Sequence, residues 1–374
     1  MITRIEIDGF KSFVDFSLDL HPFTAVIGTN AGGKSNLIDA FRFLSAAVKG
    51  DLYDAVEAVR GDAESLFHQF SDGTRVESMR FALEFSVSAM FAMPLRYEVS
   101  ASKADPSGRR GLRTVEQLRP IDGSTLAERD AVAAQLLGRE YVSSLRACQF
   151  ESSALRELTS VGGRLDMGVD GSGLPGYLAR LREETATEDD PRGALREIGL
   201  ILHGIIPDVT GFEVIEDRVR RDIRVEFSAH NEPPFESAVA SDGTLRTLAV
   251  LATLADPAQT GLLLVDEPEN GIYPERLRKL LRVIKSTTDP RADDPAGSPR
   301  QVLLASHSPV VLDVVPPEHV VFLDVVSQVG QGKASRVTRA RRAAETTAED
   351  STANWGPLKP DDVARLRSGG EMPD

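Results

Sequence analysis

The sequence predicts an α/β fold: a mixed sheet with a parallel core, an antiparallel meander lobe and a helical insert. Short apolar strands alternate with helical patterns, which is how a layered α/β core reads. A stretch near residues 79–118 alternates apolar and polar residues in three successive runs, which adds an antiparallel layer. A long helix-patterned stretch, residues 124–205, separates these from the second half of the core. The expected organisation is one head over 1–330, with 1–120 and 206–330 forming core and lobe and 121–205 the insert, followed by a polar tail over 331–374.

Taken in order, "ITRIEIDGF" and "VDFSLDL" alternate as half-buried strands do. "FTAVIG" (23–28) is an apolar strand, then a glycine turn, then "KSNLIDAFRFLSAAV" with helical spacing. The meander runs are "RFALEFSVS", "LRYEVSAS" and "LRTVEQLR", the last two joined by the turn-rich "KADPSGRRG". After the insert come a strand pair, "GFEVIED" and "DIRVEFSA", and then "ASDGTLRTLAVLATLA", whose Ser-Asp-Gly-Thr reads as a helix cap. The strand "GLLLVDEPE", a helix over 274–286, the strand "QVLLASHSP" and the strand "HVVFLDVV" follow. The tail is polar and alanine-rich, with a weak final helix near 360–367.

Composition narrows the classes. Of 374 residues 41% are apolar, enough for a sizeable core, and charges such as Arg246 interrupt every long apolar run, so no membrane span is expected. Glu6 and Asp8 stand where a signal peptide would have its apolar stretch. The single cysteine, Cys148, excludes an internal disulfide framework or a cysteine-cluster metal site and suits a cytoplasmic chain. A net charge of -14 does not advertise a nucleic-acid binder. Two basic clusters, Arg109, Arg110 and Arg113, and Arg218, Arg220, Arg221 and Arg224, read as solvated faces.

Three motifs carry chemistry. "GTNAGGKS" (28–35) fills every fixed position of G-x-x-x-x-G-K-[ST], between an apolar strand and a helix. Gly28, Gly32 and Gly33 let backbone N–H groups, with Asn30 in the same loop, turn toward phosphate oxygens; Lys34 reaches the β- and γ-phosphates and Ser35 can ligate Mg²⁺. In "GLLLVDEPEN", a buried strand delivers carboxylates to a sheet's carboxyl edge, with Asp266 on the metal and Glu267 as general base. In "LLASHSP", His307 follows the next strand, where an imidazole can meet a γ-phosphate and the attacking water. A second phosphate-facing helix end, at Ser241 and Gly243, is then best used in trans on the nucleotide of a facing copy.

At these residues the chain resembles ABC-type ATPases of the SMC/RecF class, in a stand-alone, OLD-like form. "IEIDGFKSFVDFSLDL…VIGTNAGGKSNLIDAFRFL" is similar to the SMC N-terminal segment, including Asn36 after Ser35. "SDGTLRTLAVLATL" resembles the signature motif, "DEPENGIYP" the second carboxylate motif with its D-loop, and "SHSPVVLD" the switch-histidine segment. The resemblance implies a P-loop ABC-ATPase head that binds ATP and Mg²⁺ and pairs head-to-tail around two nucleotides. By it Lys34 and Ser35 bind ATP and Mg²⁺, Asp266 supports the metal, Glu267 is the base and His307 the switch. Ser241 and Gly243 contact the partner's γ-phosphate, and Asn270 lies in the D-loop across the interface. The Q-loop glutamine is either Gln69 or Gln149. With neither a coiled coil nor a Toprim domain expected, the resemblance implies an ATP-driven dimerisation switch in DNA repair, DNA processing or anti-phage defence, acting with a separate nuclease or toxin; DNA itself is a further possible ligand. The alternatives are a slow-turnover ATP-gated scaffold that regulates a partner protein and an ABC transporter ATPase subunit.

Overall fold

The computed structural model describes residues 1–50, 52–85, 94–103, 112–289, 300–330 and 332–342. Its strands are β1 (Ile2–Asp8), β2 (Phe16–Asp19), β3 (Phe23–Gly28), β4 (Ser78–Phe85), β5 (Leu95–Lys103), β6 (Leu112–Pro120), β7 (Arg146–Cys148), β8 (Thr159–Ser160), β9 (Val209–Asp217), β10 (Asp222–Ala229), β11 (Phe235–Glu236), β12 (Leu262–Asp266), β13 (Gln301–Ser306), β14 (Val320–Gly330) and β15 (Lys333–Arg342). Its α-helices are α1 (Lys34–Lys49), α2 (Leu52–Glu57), α3 (Glu128–Ser143), α4 (Ser152–Leu155), α5 (Leu174–Thr185), α6 (Ala194–Ile205), α7 (Asp242–Ala255), α8 (Pro274–Thr287) and α9 (Val311–Val314).

The central sheet has six strands in the order β15-β14-β3-β13-β12-β7. The pairs from β14 to β7 are parallel, and β15 runs antiparallel at one edge. Residues of β12 and β13 are buried throughout because both faces are covered. Alternation along each strand feeds two cores. Phe23, Ala25, Leu263, Val265, Val302 and Leu304 pack with α5, α6, α7 and α8. Val26, Leu262, Leu264, Leu303 and Ala305 pack with Leu37, Phe41 and Leu44 of α1.

Beyond α1 lies the meander, an antiparallel sheet in the order β2-β1-β4-β5-β6 whose Ile5, Ile7, Phe81, Leu83 and Val99 complete the second core. Other residues of this sheet carry a cross-strand lattice of ion pairs in which Arg96 meets Glu6 and Glu84, and Arg4 meets Asp19. The third sheet is small and antiparallel, built on the β9–β10 hairpin with β8 and β11. No helix among the described residues is long and apolar enough to cross a membrane.

The structure differs from the sequence reading in three places. The stretch 124–205 is not uniformly helical: it contributes β7 to the central sheet and β8 to the small one. β7 spans three residues and opens on Arg146, too short and too polar to stand out as a buried strand. The polar stretch after residue 330 holds β15, paired with β14 along its whole length. That strand buries Ser335 and Thr338 and ties Arg339 and Arg341 to Asp324, so charge pairing replaces the apolar alternation that marks a strand. Among the basic clusters, Arg224 is paired with Asp217, Asp222 and Glu236. Arg109, Arg110 and the expected helix near 360–367 lie outside the described residues.

Candidate functional site

Parallel pairing sets the site. Ile27 is opposite Ser306, Ala305 opposite Asp266, and Val265 opposite Cys148. The next residues out, Gly28, His307, Glu267 and Gln149, therefore leave the sheet side by side at its carboxyl edge, where open α/β sheets bind ligands.

The loop after β3 is held open for an anion. Gly33 has φ of 104° and stands at the N-cap of α1 with no side chain bonded to the helix end. A Cβ there would stand 2.2 Å from Thr338 Oγ1, and a Cβ at Gly28 would stand 2.2 Å from the Leu323 carbonyl oxygen. β14 and β15 thus press against the loop at the two places where only glycine fits. Gly32 completes the turn by donating its N–H to Thr29 O at 3.1 Å, and Asn30 is exposed at the loop's tip. Lys34 is 5% exposed, and its ammonium folds back on the loop, donating to Gly28 O at 2.8 Å and Thr29 O at 2.9 Å. Burial lowers its pKa to about 8, against the opposing pull of Glu267, Asp266 and Glu269. Ser35 is half-buried on the first turn. Asn36 donates to Ser12 Oγ at 2.8 Å; Ser12 in turn shares a 2.7 Å hydrogen bond with Thr338 Oγ1.

Across the edge, Asp266 is 8% exposed, and its pKa is pushed up to about 6, first by burial and then by the neighbouring Glu267 charge. Glu267 takes a left-handed backbone, φ 46°, fixed by its N–H to Ala305 O at 2.8 Å. Both of its carboxylate oxygens have partners: Asn270 Nδ2 donates to Oε2 at 2.8 Å, and His307 Nε2 lies 3.4 Å from Oε1. Glu269 accepts the His307 N–H at 2.6 Å, which fixes the loop carrying the imidazole.

The two glutamines separate by position. Gln149 follows β7 beside Asp266, and its own N–H is bonded to Val169 O at 2.8 Å. Gln69 is exposed on an isolated bridge to Arg75, with its side chain 3.5 Å from Gly73 O.

Ser241 is the N-cap of α7 and accepts from Thr244 N at 3.2 Å, so one N–H of the first turn is satisfied by its side chain. Gly243 packs on the D-loop: a Cβ there would stand 2.3 Å from Gly271 O. One turn on, Arg246 is buried and donates to Asn270 O at 3.1 Å and Phe150 O at 2.7 Å. It joins the segment after Gln149 to the segment after Glu267. Sequence reading took this arginine as a break in an apolar helix and gave Glu269 no role. The one signal for Arg246 was a lone charge in an otherwise apolar run, which in a buried helix must find carbonyl partners.

The donor set suits the group the motif implies. The loop's free N–H groups and Lys34 form a cationic cradle, and a hydroxyl with a carboxylate, Ser35 and Asp266, is the hard-oxygen pairing Mg²⁺ takes alongside phosphates. Beside the first turn of α1 a depression of about 610 Å³ runs past Ser12, Asn36, Phe67, His68, Gln69 and Arg336.

Comparison with known proteins gives the family and the fold. A family model described as "AAA domain, putative AbiEii toxin, Type IV TA system" matches residues 23–313. The chromosome partition protein Smc of Methanocaldococcus jannaschii is 48% identical over 44 residues, which is 12% of this chain and 4% of that protein. Among solved structures, an Smc head bound to the C-terminal winged-helix domain of ScpA superposes with a TM-score of 0.57 at 16% identity, covering 90% of this chain and 97% of the other. An Smc head with an extended coiled coil, bound to the C-terminal domain of ScpA from Pyrococcus furiosus, gives 0.56 at 14% identity, covering 90% and 96%. These two share its fold.

Proposed function

The chain belongs to this AAA-domain family, with the fold of an SMC head, and from that premise we propose that it binds and hydrolyses ATP as an SMC/RecF-like, ATP-driven dimerisation switch. The observation that carries the reading is the carboxyl edge itself, where a glycine loop with Lys34, the Asp266–Glu267 pair and His307 stand on adjacent parallel strands. ATP phosphates replace the Gly28 and Thr29 carbonyls as partners of Lys34, while the N–H groups of the loop and of the first turn of α1 turn toward them. Ser35 and Asp266 would hold Mg²⁺, which would supply charge neutralisation for the phosphates. Glu267 takes the proton of the attacking water, His307 holds the γ-phosphate side of that water, and Gln149, as the Q-loop glutamine, orients it. The nucleoside lies in the depression beside Ser12 and Phe67. Ser241 and Gly243 of a second copy close on the γ-phosphate, with Asn270 at the interface.

In this reading the head works in the cytoplasm, in DNA repair or processing or in anti-phage defence, and passes its state to a separate effector protein. Two of the similar Smc heads are held by domains of ScpA, which supports a protein partner here. A slower, scaffold-like variant of the same cycle is favoured by one observation: both oxygens of Glu267 are engaged by Asn270 and His307 within the single chain. Those contacts hold the carboxylate within the chain until a ligand rearranges them.

The test compares the wild type with Glu267→Gln. The wild type hydrolyses Mg·ATP; the variant loses hydrolysis and accumulates as an ATP-stabilised dimer in light scattering. Absence of an ATP-dependent dimer from both proteins overturns the sandwich. A wild-type dimer that forms with ATP yet turns over no faster than the variant selects the scaffold.

A further inference from the structure

We propose that Thr338, on the edge strand β15, is a positioning residue for the nucleotide: through Ser12 and Asn36 it sets the first turn of α1, which carries Lys34 and Ser35. The inference rests on the ATP-binding reading above and gives β15 a part in it.

The first turn of α1 needs a hold from outside the phosphate loop. Gly33 stands at its N-cap with no side-chain hydrogen bond to the helix. Gly28, Gly32 and Gly33 leave the loop more backbone freedom than other residues would. Lys34 ties loop and turn together through Gly28 O and Thr29 O, but arriving phosphates take those bonds over. A lasting hold must come from a side chain of the same turn that the phosphates do not displace.

Asn36 supplies it. Its amide donates to Ser12 Oγ at 2.8 Å, and Ser12 Oγ lies 2.7 Å from Thr338 Oγ1, so three side chains form one relay from the turn to the central sheet. The relay ends on a rigid anchor. Thr338 is 2% exposed and stands opposite Val325 of β14 in the antiparallel pairing. On its other side its backbone N–H donates to Ser12 O at 2.7 Å. The next residue, Arg339, is paired with Asp324 of β14. The same side chain also walls the glycine: a Cβ at Gly33 would stand 2.2 Å from Thr338 Oγ1 and 2.6 Å from its Cγ2. A β-branched hydroxyl residue does both jobs. Valine keeps the wall and loses the relay, whereas serine keeps the relay and loses one methyl.

The position of the relay decides which kinetic constant it governs. His307 and Glu267, which act on the water, follow β13 and β12, three and four strands away from β15. Lys34 and Ser35, which seat the phosphates, share a turn with Asn36. Loss of the relay therefore loosens the seat and spares the groups that act on the water, so it falls on nucleotide affinity and KM rather than on kcat.

The experiment uses the full chain, reading kcat and KM for Mg·ATP and the dissociation constant of a fluorescent ATP analogue. Thr338→Val raises KM and the dissociation constant about fivefold or more with kcat within about twofold, and Thr338→Ser stays within about twofold of wild type throughout. Thr253→Val, which removes an equally buried hydroxyl bonded to Ala249 O within α7, leaves KM unchanged. Ser12→Ala also raises KM, and adding Thr338→Val to it costs less than the two single effects combined, because both act through one relay. Thr338→Val with wild-type KM and dissociation constant, however much lower it melts, overturns the inference and leaves the ATP-binding reading standing. Full additivity with Ser12→Ala, a loss that Thr338→Ser fails to rescue, or an equal loss in Thr253→Val overturns it as well. A wild-type chain that binds neither Mg·ATP nor the analogue overturns the ATP-binding reading and this inference with it.

Discussion

Two helix N-termini in this chain are assigned the same kind of ligand in the proposed function and are built differently. α1 begins at Gly33, whose φ of 104° leaves no side chain to cap the helix, and β15 packs where a Cβ would stand. α7 begins at Ser241, whose hydroxyl takes the Thr244 N–H and shares a further hydrogen bond with Thr244 Oγ1 at 2.8 Å. The first end is left open and can be satisfied only by a ligand or water. The second has one first-turn N–H, that of Thr244, held by its own serine, so a ligand that draws on the Ser241 hydroxyl must compete with that cap. Open ends suit permanent binding; capped ends suit conditional binding, which a switch requires.

Substitutions at the open end have the largest expected effect. Lys34→Met removes the buried ammonium that the loop is shaped around, and kcat/KM for ATP falls about 100-fold or more, with nucleotide affinity falling alongside. Ser241→Arg separates the two ends: turnover is lost because a bulky cation blocks the facing copy, yet equilibrium ATP binding by the single chain is retained. Loss of binding itself would place Ser241 in the same nucleotide site as Lys34 and erase the distinction. Ser241→Ala removes only the cap and costs about 1 kcal/mol of stability, read from urea unfolding without nucleotide.

Much of this site was legible because phosphate chemistry demands fixed residue types at fixed spacing. "GTNAGGKS" could be read so because Gly28 and Gly33 admit no alternative, and Asp266 because a carboxylate ending an apolar run has few other uses. Residues that work through neighbours were not legible. Arg246 looked like a charge interrupting a core helix, but its partners are carbonyls of Phe150 and Asn270, far off in sequence. Asn36 read as a nucleotide contact from its place after Ser35; its amide bond to Ser12, beside the same depression, could not be read from spacing. The fold's parallel core was visible in its apolar runs, while β7 and β15 were not, since an edge strand of three residues and a strand held by Asp324 pairs carry little periodicity. Because β7 was missed, the sequence left Gln69 and Gln149 equal. The comparison sharpens here: Gln149→Ala lowers kcat about 10- to 100-fold at little change in KM, whereas Gln69→Ala, at the depression beside Phe67, leaves kcat unchanged. The reverse pattern would mean that the end of β7 does not serve the nucleotide.

The smallest expected effect concerns what the open end costs when no ligand is bound. Asp266 has its pKa raised from 3.8 to about 6, chiefly by burial, so the folded chain holds this proton more tightly than the unfolded chain does. Stability from this group therefore falls as pH rises from about 4 to 6, and above that range the ionised carboxylate costs at most about 3 kcal/mol. Lys34 is shifted the opposite way, from 10.5 to about 8, so its penalty is complete below pH 8 and fades as pH rises toward 10.5. At neutral pH both groups are charged and both are held at a cost, as expected for a cradle waiting for a nucleotide. Asp266→Asn removes one of the two penalties while Glu267 and Glu269 still favour the Lys34 charge. The variant without nucleotide melts a few degrees higher than wild type at pH 8, and the gain shrinks toward pH 4. Added Mg·ATP raises the wild-type melting temperature and fails to raise that of the variant. A variant that melts at or below the wild type at pH 8 would show that burial of Asp266 is not a strain on the free chain, and that the phosphate end is no more costly to keep open than the capped end at Ser241.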